Sequence, residues 1–206
     1  MRIAVIGGTG PFGKAVATRL REAGVDVVIG SRDAGRAAEA AAELGVEGAT
    51  NTDAAARADL VVLAVNADAA LDTARELRAA IGKTPVLSVA SELRFAKGGV
   101  LPCTEAVSLA ERIQRELDAP VLAGLHSLAA ASLGGDEAPD EDAFVCGDDP
   151  EAKALALEVA GRMTSGRALD AGPLASARAL EGLTAVIINL NKHYRGHAGI
   201  RITGIG

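Results

Sequence analysis

Arg2–Gly13 reads RIAVIGGTGPFG. RIAVIG is a short apolar run closed by glycine, which is a strand signal. Gly8, Gly10 and Gly13 then fit G-x-G-x-x-G, directly after that strand and directly before a helical pattern opening at Pro11. Alone the spacing is weak, and between a strand and a helix it becomes specific. Gly8 is expected to make the tight turn. Gly10 lets a diphosphate approach the backbone, and Gly13 lets helix and strand pack closely. Thr9, Pro11 and Phe12 fill the loop between them, and the helix start offers open N–H groups and a positive dipole end to phosphate. The stretch predicts a Rossmann dinucleotide-binding domain.

The pattern continues outward. Pro11–Ala23 reads as a helix, Asp26–Gly30 as a second strand, and Asp33–Leu44 as an Ala-rich helix closed by Gly45. Thr50–Thr52 is expected as a short third strand and 53–58 as a brief helix. LVVLAV at Leu60–Val65 is a strand covered on both faces. A helix at 69–81, a strand at 85–90, a helix near 105–117 and a strand at 120–125 complete the series. Alternation of this kind predicts an α/β fold, a doubly wound parallel sheet with right-handed crossovers. GGDEAPDED at Gly134–Asp142 is the best linker. It divides the chain into a Rossmann domain over 1–133 and a smaller carboxy-terminal α/β part over 143–206, with strands at 143–147 and 168–171 and helices at 150–165 and 174–194.

The end of the second strand selects the cofactor. NAD enzymes place an acid there for the ribose 2′-hydroxyl, whereas NADP enzymes place arginine and small polar groups. Here the chain reads Gly30-Ser31-Arg32, with Arg36 one helical turn on and Asp33 in the helix's first turn. Ser31 offers a hydroxyl, and Arg32 and Arg36 offer forked donors for a 2′-phosphate. Val65 and Asn66 end the fourth strand, where ligands of open α/β sheets sit. Asn66 either touches the cofactor or caps the next helix. His126 stands at the mouth of a later strand, as a ligand contact or as a hydrogen-bonded structural residue.

Bulk properties narrow the function. The chain has 206 residues, a net charge of −6 and few aromatics, Phe12, Phe95, Phe144 and Tyr194. An acidic balance argues against a general nucleic-acid binder. No apolar stretch reaches the length of a membrane span, and no signal peptide is visible, so the chain reads as soluble and cytoplasmic. Cys103 and Cys146 form no CxxC and read as two reduced thiols. His193 and His197 lack a third metal ligand, so no metal is expected. Lys192, Arg195 and Arg201 offer a basic tail to an acidic partner or an anionic cofactor tail. The Ala-rich helix from Leu174 offers a packing face for a homodimer. Asp148-Asp149-Pro150-Glu151 reads as a helix start, and no hydrolase motif occurs.

Beyond single motifs, the chain resembles the NADPH-dependent reductases of the deazaflavin coenzyme F420. The resemblance runs through RIAVIGGTGPFGKAVATRL from Arg2, VIGSRDAGRA from Val28, DTARELR at Asp72–Arg78 and LHS at Leu125–Ser127. VCGDDPEAK at Val145–Lys153, LDAGPLASARALEGLT at Leu169–Thr184 and GIRI at Gly199–Ile202 complete it. It implies reversible hydride transfer between NADP(H) and coenzyme F420. By the same resemblance Thr9, Ser31, Arg32 and Arg36 hold NADP, His126 contacts the deazaflavin, and Ser127, Ser176 and Thr184 line the same cleft. AVNADAA from Ala64 and SVASELRF from Ser88 stand where that family often carries prolines and an aromatic. Those departures leave two other readings: an NADP(H)-dependent reductase of a flavin, imine or ketone, or a non-catalytic NADP(H) sensor.

Overall fold

Strand β1 (Arg2–Ile6) lies in the middle of an eight-stranded sheet in the computed structural model, which describes residues 1–205. Strand β2 (Asp26–Ser31) pairs along one side of it and β4 (Leu60–Leu63) along the other, both parallel. Outside β2 lies β3 (Glu47–Thr50). Beyond β4 follow β5 (Val86–Ser88), β8 (Val121–Gly124), β9 (Ala143–Gly147) and β10 (Ala168–Asp170). The order therefore reverses at β1 and β4, which opens a crevice beyond their carboxyl ends. Helices α1 (Pro11–Glu22) and α7 (Pro150–Gly161) bury their apolar stripes with one sheet face. The other face packs against α3 (Asn51–Ala55), α4 (Ala67–Ile81), α5 (Leu109–Gln114) and α8 (Ala177–Tyr194). Helix α2 (Ala34–Leu44) lies beside β2 and β3. Ala, Leu and Val make up most of both cores, and the many alanines let the helices approach the sheet closely.

Several boundaries differ from the sequence reading. The third strand comes earlier, as Glu47–Thr50, and α3 starts at Asn51, because Thr50 caps that helix by accepting from the Asp53 N–H. Asp33 lies outside α2 as its N-cap, accepting from the Arg36 N–H at 2.9 Å. The sheet is not wholly parallel: β8 and β9 pair antiparallel. A parallel return needs a full crossover, and the connection here holds only the single turn α6 (Ala130–Leu133). An antiparallel hairpin, β6 (Leu93–Ala96) with β7 (Gly99–Pro102), was not expected at all. It lies along α8, where Asn189 accepts from the Val100 N–H and donates back to the Val100 carbonyl.

Strands β9 and β10 extend the same sheet as β1–β5. The acidic segment 134–142 is pinned down by buried Arg19, whose guanidinium donates to the carbonyls of Leu133, Gly135 and Glu137. Asp142 anchors the last residues. Its carboxylate is fully buried, pairs with Arg167 at 2.7 Å and accepts from the Ile202 N–H at 2.7 Å. No helix is long and apolar enough to cross a membrane among the described residues.

Candidate functional site

The glycine loop divides its tasks differently from the sequence reading. Gly7, not Gly8, makes the turn: its φ is +84°, and a Cβ there would lie 2.6 Å from the Ala64 carbonyl oxygen. Gly8 instead packs flat against Ile29. Gly13 does allow α1 to approach the strand, since a Cβ there would meet the Gly7 oxygen at 2.5 Å. Space above Gly10 is open, with only the Gly7 oxygen at 3.4 Å. Gly10 is the N-cap of α1 and no side chain caps that helix, so the N–H groups of Phe12 and Gly13 stay available, as an anion site requires.

A cleft of about 230 Å³ runs from this loop. Gly7, Thr9, Gly10, Ser31, Arg32, Arg36, Val65 and Asn66 line it, together with Asn51 and Thr73. Asp33 lies there too, but its carboxylate faces the Arg36 N–H and caps α2. An acid at that place would repel a 2′-phosphate. Capping and two neighbouring guanidinium groups offset its charge.

A second cleft, of about 360 Å³, lies beyond β5 and β8. Val65 and Asn66 line it as well, so the two clefts abut at the end of β4. Asn66 occupies the N-cap position of α4 yet makes no side-chain cap bond, which leaves its carboxamide at the junction. Phe12, Ser91, His126 and Thr184 form other walls, and Ile187, Ile188 and Asn191 of α8 close one side. Leu125 holds a positive φ of 65°, a costly conformation for a branched side chain, and so brings His126 to the cleft. Thr184 donates to the His126 carbonyl at 3.1 Å, and its hydroxyl shares a hydrogen bond with Ser91 at 2.8 Å. These bonds tie α8 to the ends of two strands.

His126 is almost fully buried. Its Nε2 lies 3.3 Å from the Ala90 carbonyl oxygen and must donate to it, so Nδ1 carries a lone pair, and that atom is unpartnered. Burial pushes the imidazole down to about 4, so it is neutral at physiological pH. The unfolded chain binds this proton near the ordinary value of about 6.5. Stability therefore falls as pH drops through the window between 6.5 and 4, by about 2 kcal/mol at pH 5. Urea unfolding of the wild type and of His126→Gln between pH 5 and 8 checks this: the wild type is expected to lose stability in that window and the variant is not. Parallel curves would refute it.

Two expected site residues stand elsewhere. Ser127 is fully buried and donates to the Asp142 carbonyl at 2.9 Å, because the turn at Leu125 that presents His126 sends the next side chain inward. Ser176 precedes α8 in a short 3-10 turn, beside Gly172 and outside both clefts. Of the basic tail, Arg201 pairs with Asp140. Helix α8 ends at Tyr194, so His193 and His197 do not share a helical face. Among the described residues no three His, Cys, Asp or Glu side chains gather as a metal site. Both cysteines are free, and burial pushes the Cys146 thiol up to about 12.

Comparison with known proteins supplies the family. Residues 2–92 match the family described as NADP oxidoreductase, coenzyme F420-dependent. The F420-dependent NADP reductase of Methanothermobacter thermautotrophicus is 37% identical, over all of this chain and 96% of the relative. Its namesake from Methanothermobacter marburgensis is 35% identical over all of this chain and 99% of the relative. The chain belongs to the coenzyme F420-dependent NADP oxidoreductase family. A crystal structure of a candidate F420-dependent NADP reductase from an Arthrobacter species superposes with a TM-score of 0.82. It is 29% identical and covers 99% of this chain and 100% of that one. In this F420-dependent oxidoreductase, the family match over 2–92 takes in the glycine loop and the Ser31–Arg36 segment. The full-length relatives extend the likeness through His126 and α8.

Sequence reasoning missed Asn51, Thr73 and Asn191 as cleft residues and reached Ser91 only through the segment SVASELRF that holds it. Thr73 falls inside the DTARELR segment, which flagged the place without a role. Asn51 carries no motif.

Proposed function

We propose that the protein transfers a hydride reversibly between NADP(H) and coenzyme F420, in keeping with its full-length relatives, which are named F420-dependent NADP reductases. The observation that carries this reading is the shared wall: two clefts meeting at Val65 and Asn66, one fitted to a phosphorylated dinucleotide and one walled by His126 and Thr184. The residues present fit the dinucleotide. Open N–H groups at the start of α1 take the diphosphate, above the space left at Gly10. Ser31, Arg32 and Arg36 take the 2′-phosphate. When bound, the nicotinamide supplies hydride at C4 and the deazaflavin accepts it at C5.

The protein's own task is then to orient two rings and exclude water. Phe12, Val65 and Leu128 supply apolar wall. Neutral His126 supplies no proton at physiological pH. The part over 143–206 closes the second cleft through α8. The protein works in the cytoplasm as a homodimer. Val186 and Leu190 on the outer side of α8, with Phe95 and Leu101 of the hairpin, are exposed and form the face for a second copy.

Steady-state assays with NADPH against coenzyme F420, FMN, a cyclic imine and a ketone test the acceptor. Turnover with coenzyme F420 at least a hundredfold above the rest is expected. Faster turnover with any of the others would assign the second cleft to that acceptor, and no turnover with any of them would leave the sensor reading.

A further inference from the structure

Ser91 follows the end of β5 and stands half-buried in the wall of the second cleft. Its hydroxyl oxygen lies 2.8 Å from that of Thr184, and by distance alone either one donates. The next link in the chain sets the direction. A hydroxyl owns one hydrogen and two lone pairs. Thr184 spends its hydrogen on the His126 carbonyl at 3.1 Å, a group that only accepts. Ser91 therefore donates to Thr184 and has no hydrogen left. Its oxygen keeps lone-pair capacity, so the chain from Ser91 through Thr184 to His126 presents an acceptor at the cleft wall. A carbonyl or phosphate oxygen brought there would meet it lone pair to lone pair, whereas an N–H is matched. Ser91 lines the second cleft and not the first, so the ligand it faces is the one beyond the junction at Val65 and Asn66.

We propose that Ser91 is a specificity-determining binding residue for the deazaflavin, its Oγ accepting a hydrogen bond from the imide N–H of the pyrimidine ring. This rests on the coenzyme F420 reading of the second cleft. The identity of the donor follows from the chemistry of the ring. In the oxidised form the imide nitrogen, between two carbonyl groups, carries the ring system's one N–H. The other polar atoms of that edge are acceptors, and Ser91 has no hydrogen to give them. The committed hydroxyl of Thr184 thus fixes which atom of the ring turns toward Ser91. A flavin carries the same imide, so Ser91 selects a ring bearing this N–H rather than a deazaflavin over a flavin.

Fluorescence titration with oxidised coenzyme F420 and with its imide N-methyl derivative tests the assignment. The wild type is expected to bind the methylated compound about tenfold more weakly, as for one neutral hydrogen bond lost. Ser91→Ala is expected to bind coenzyme F420 about tenfold more weakly than the wild type and to hold the two compounds within about twofold of each other. Ser91→Gly carries the same expectation and replaces it if Ser91→Ala does not fold. Equal binding of the two compounds by the wild type would overturn the proposal and leave the coenzyme F420 reading standing. So would a truncated variant that keeps the wild-type preference. A variant that loses affinity for NADPH and not for coenzyme F420 would overturn it too, by giving Ser91 to the nicotinamide carboxamide. If the wild type binds neither compound, the coenzyme F420 reading itself falls, and this assignment with it.

Discussion

Replacing Arg32 with alanine is expected to raise the Kd for NADPH about a hundredfold while leaving the Kd for NADH within about threefold. The difference between the two dinucleotides is one phosphate carrying nearly two charges. Arg32 sits in the cleft with Ser31 and Arg36, and the neighbouring acid, Asp33, is committed to capping α2. A charge-assisted bond from a forked guanidinium is worth about 1.5–3 kcal/mol, and the higher end applies when both nitrogens engage the phosphate. Arg36→Ala should lose less, since it enters from the helix side and Arg32 remains. Raising the salt should weaken NADPH binding to the wild type and have little effect on Arg32→Ala. Fluorescence titration with both dinucleotides gives the answer. Equal losses for NADPH and NADH would show that Arg32 does not touch the 2′-phosphate.

The largest stability loss is expected at Asp142. Its buried carboxylate accepts from the Arg167 side chain, the Arg167 N–H and the Ile202 N–H. Arg167 also donates to the carbonyls of Ile202 and Ile205, so one carboxylate organises the junction of β9, the turn before β10 and the closing residues. Asp142→Ala removes the charge and strands these donors, at about 3–5 kcal/mol. The Arg167 guanidinium holds this carboxyl well below the usual carboxylate range. A depressed acid stabilises the fold above its unfolded value and loses that stabilisation as pH falls below it. Its window thus lies below about pH 4, separate from the one between 6.5 and 4 assigned to His126. Urea unfolding at pH 7 measures the loss, and hydrogen exchange at 198–205 should rise in the variant. A loss under about 1 kcal/mol would contradict the role assigned to this ion pair.

The sequence made parts of this structure legible because local chemistry decided them. The β1 strand, the glycine loop and α1 follow from an apolar run, a fixed glycine spacing and a proline at a helix start. Ser31, Arg32 and Arg36 follow from their place after β2. Other parts depended on contacts remote in the chain. The turn lies at Gly7 rather than Gly8 because Ala64, just past the end of β4, comes close to it and leaves no room for a side chain. Ser127 shares the LHS segment with His126, and only the left-handed turn at Leu125 sends the two side chains in different directions. Asn51 is buried because Gly30 leaves room for it, a relation between strand β2 and the start of α3 that no local pattern shows. The β6–β7 hairpin owes its place to Asn189, about ninety residues away. The antiparallel joint at β8 and β9 turned on how little helix the connection between them contains.

Isotope transfer tests the central claim most directly. NADPH carrying deuterium at nicotinamide C4, on the transferred face, is mixed with the protein and oxidised coenzyme F420 under single-turnover conditions. The product is then examined by NMR. Two clefts that meet at Val65 and Asn66 should deliver the label to C5 of the deazaflavin without loss to water, as its absorption band bleaches. Label recovered in solvent, or a deazaflavin band that does not change, would contradict direct transfer across that junction.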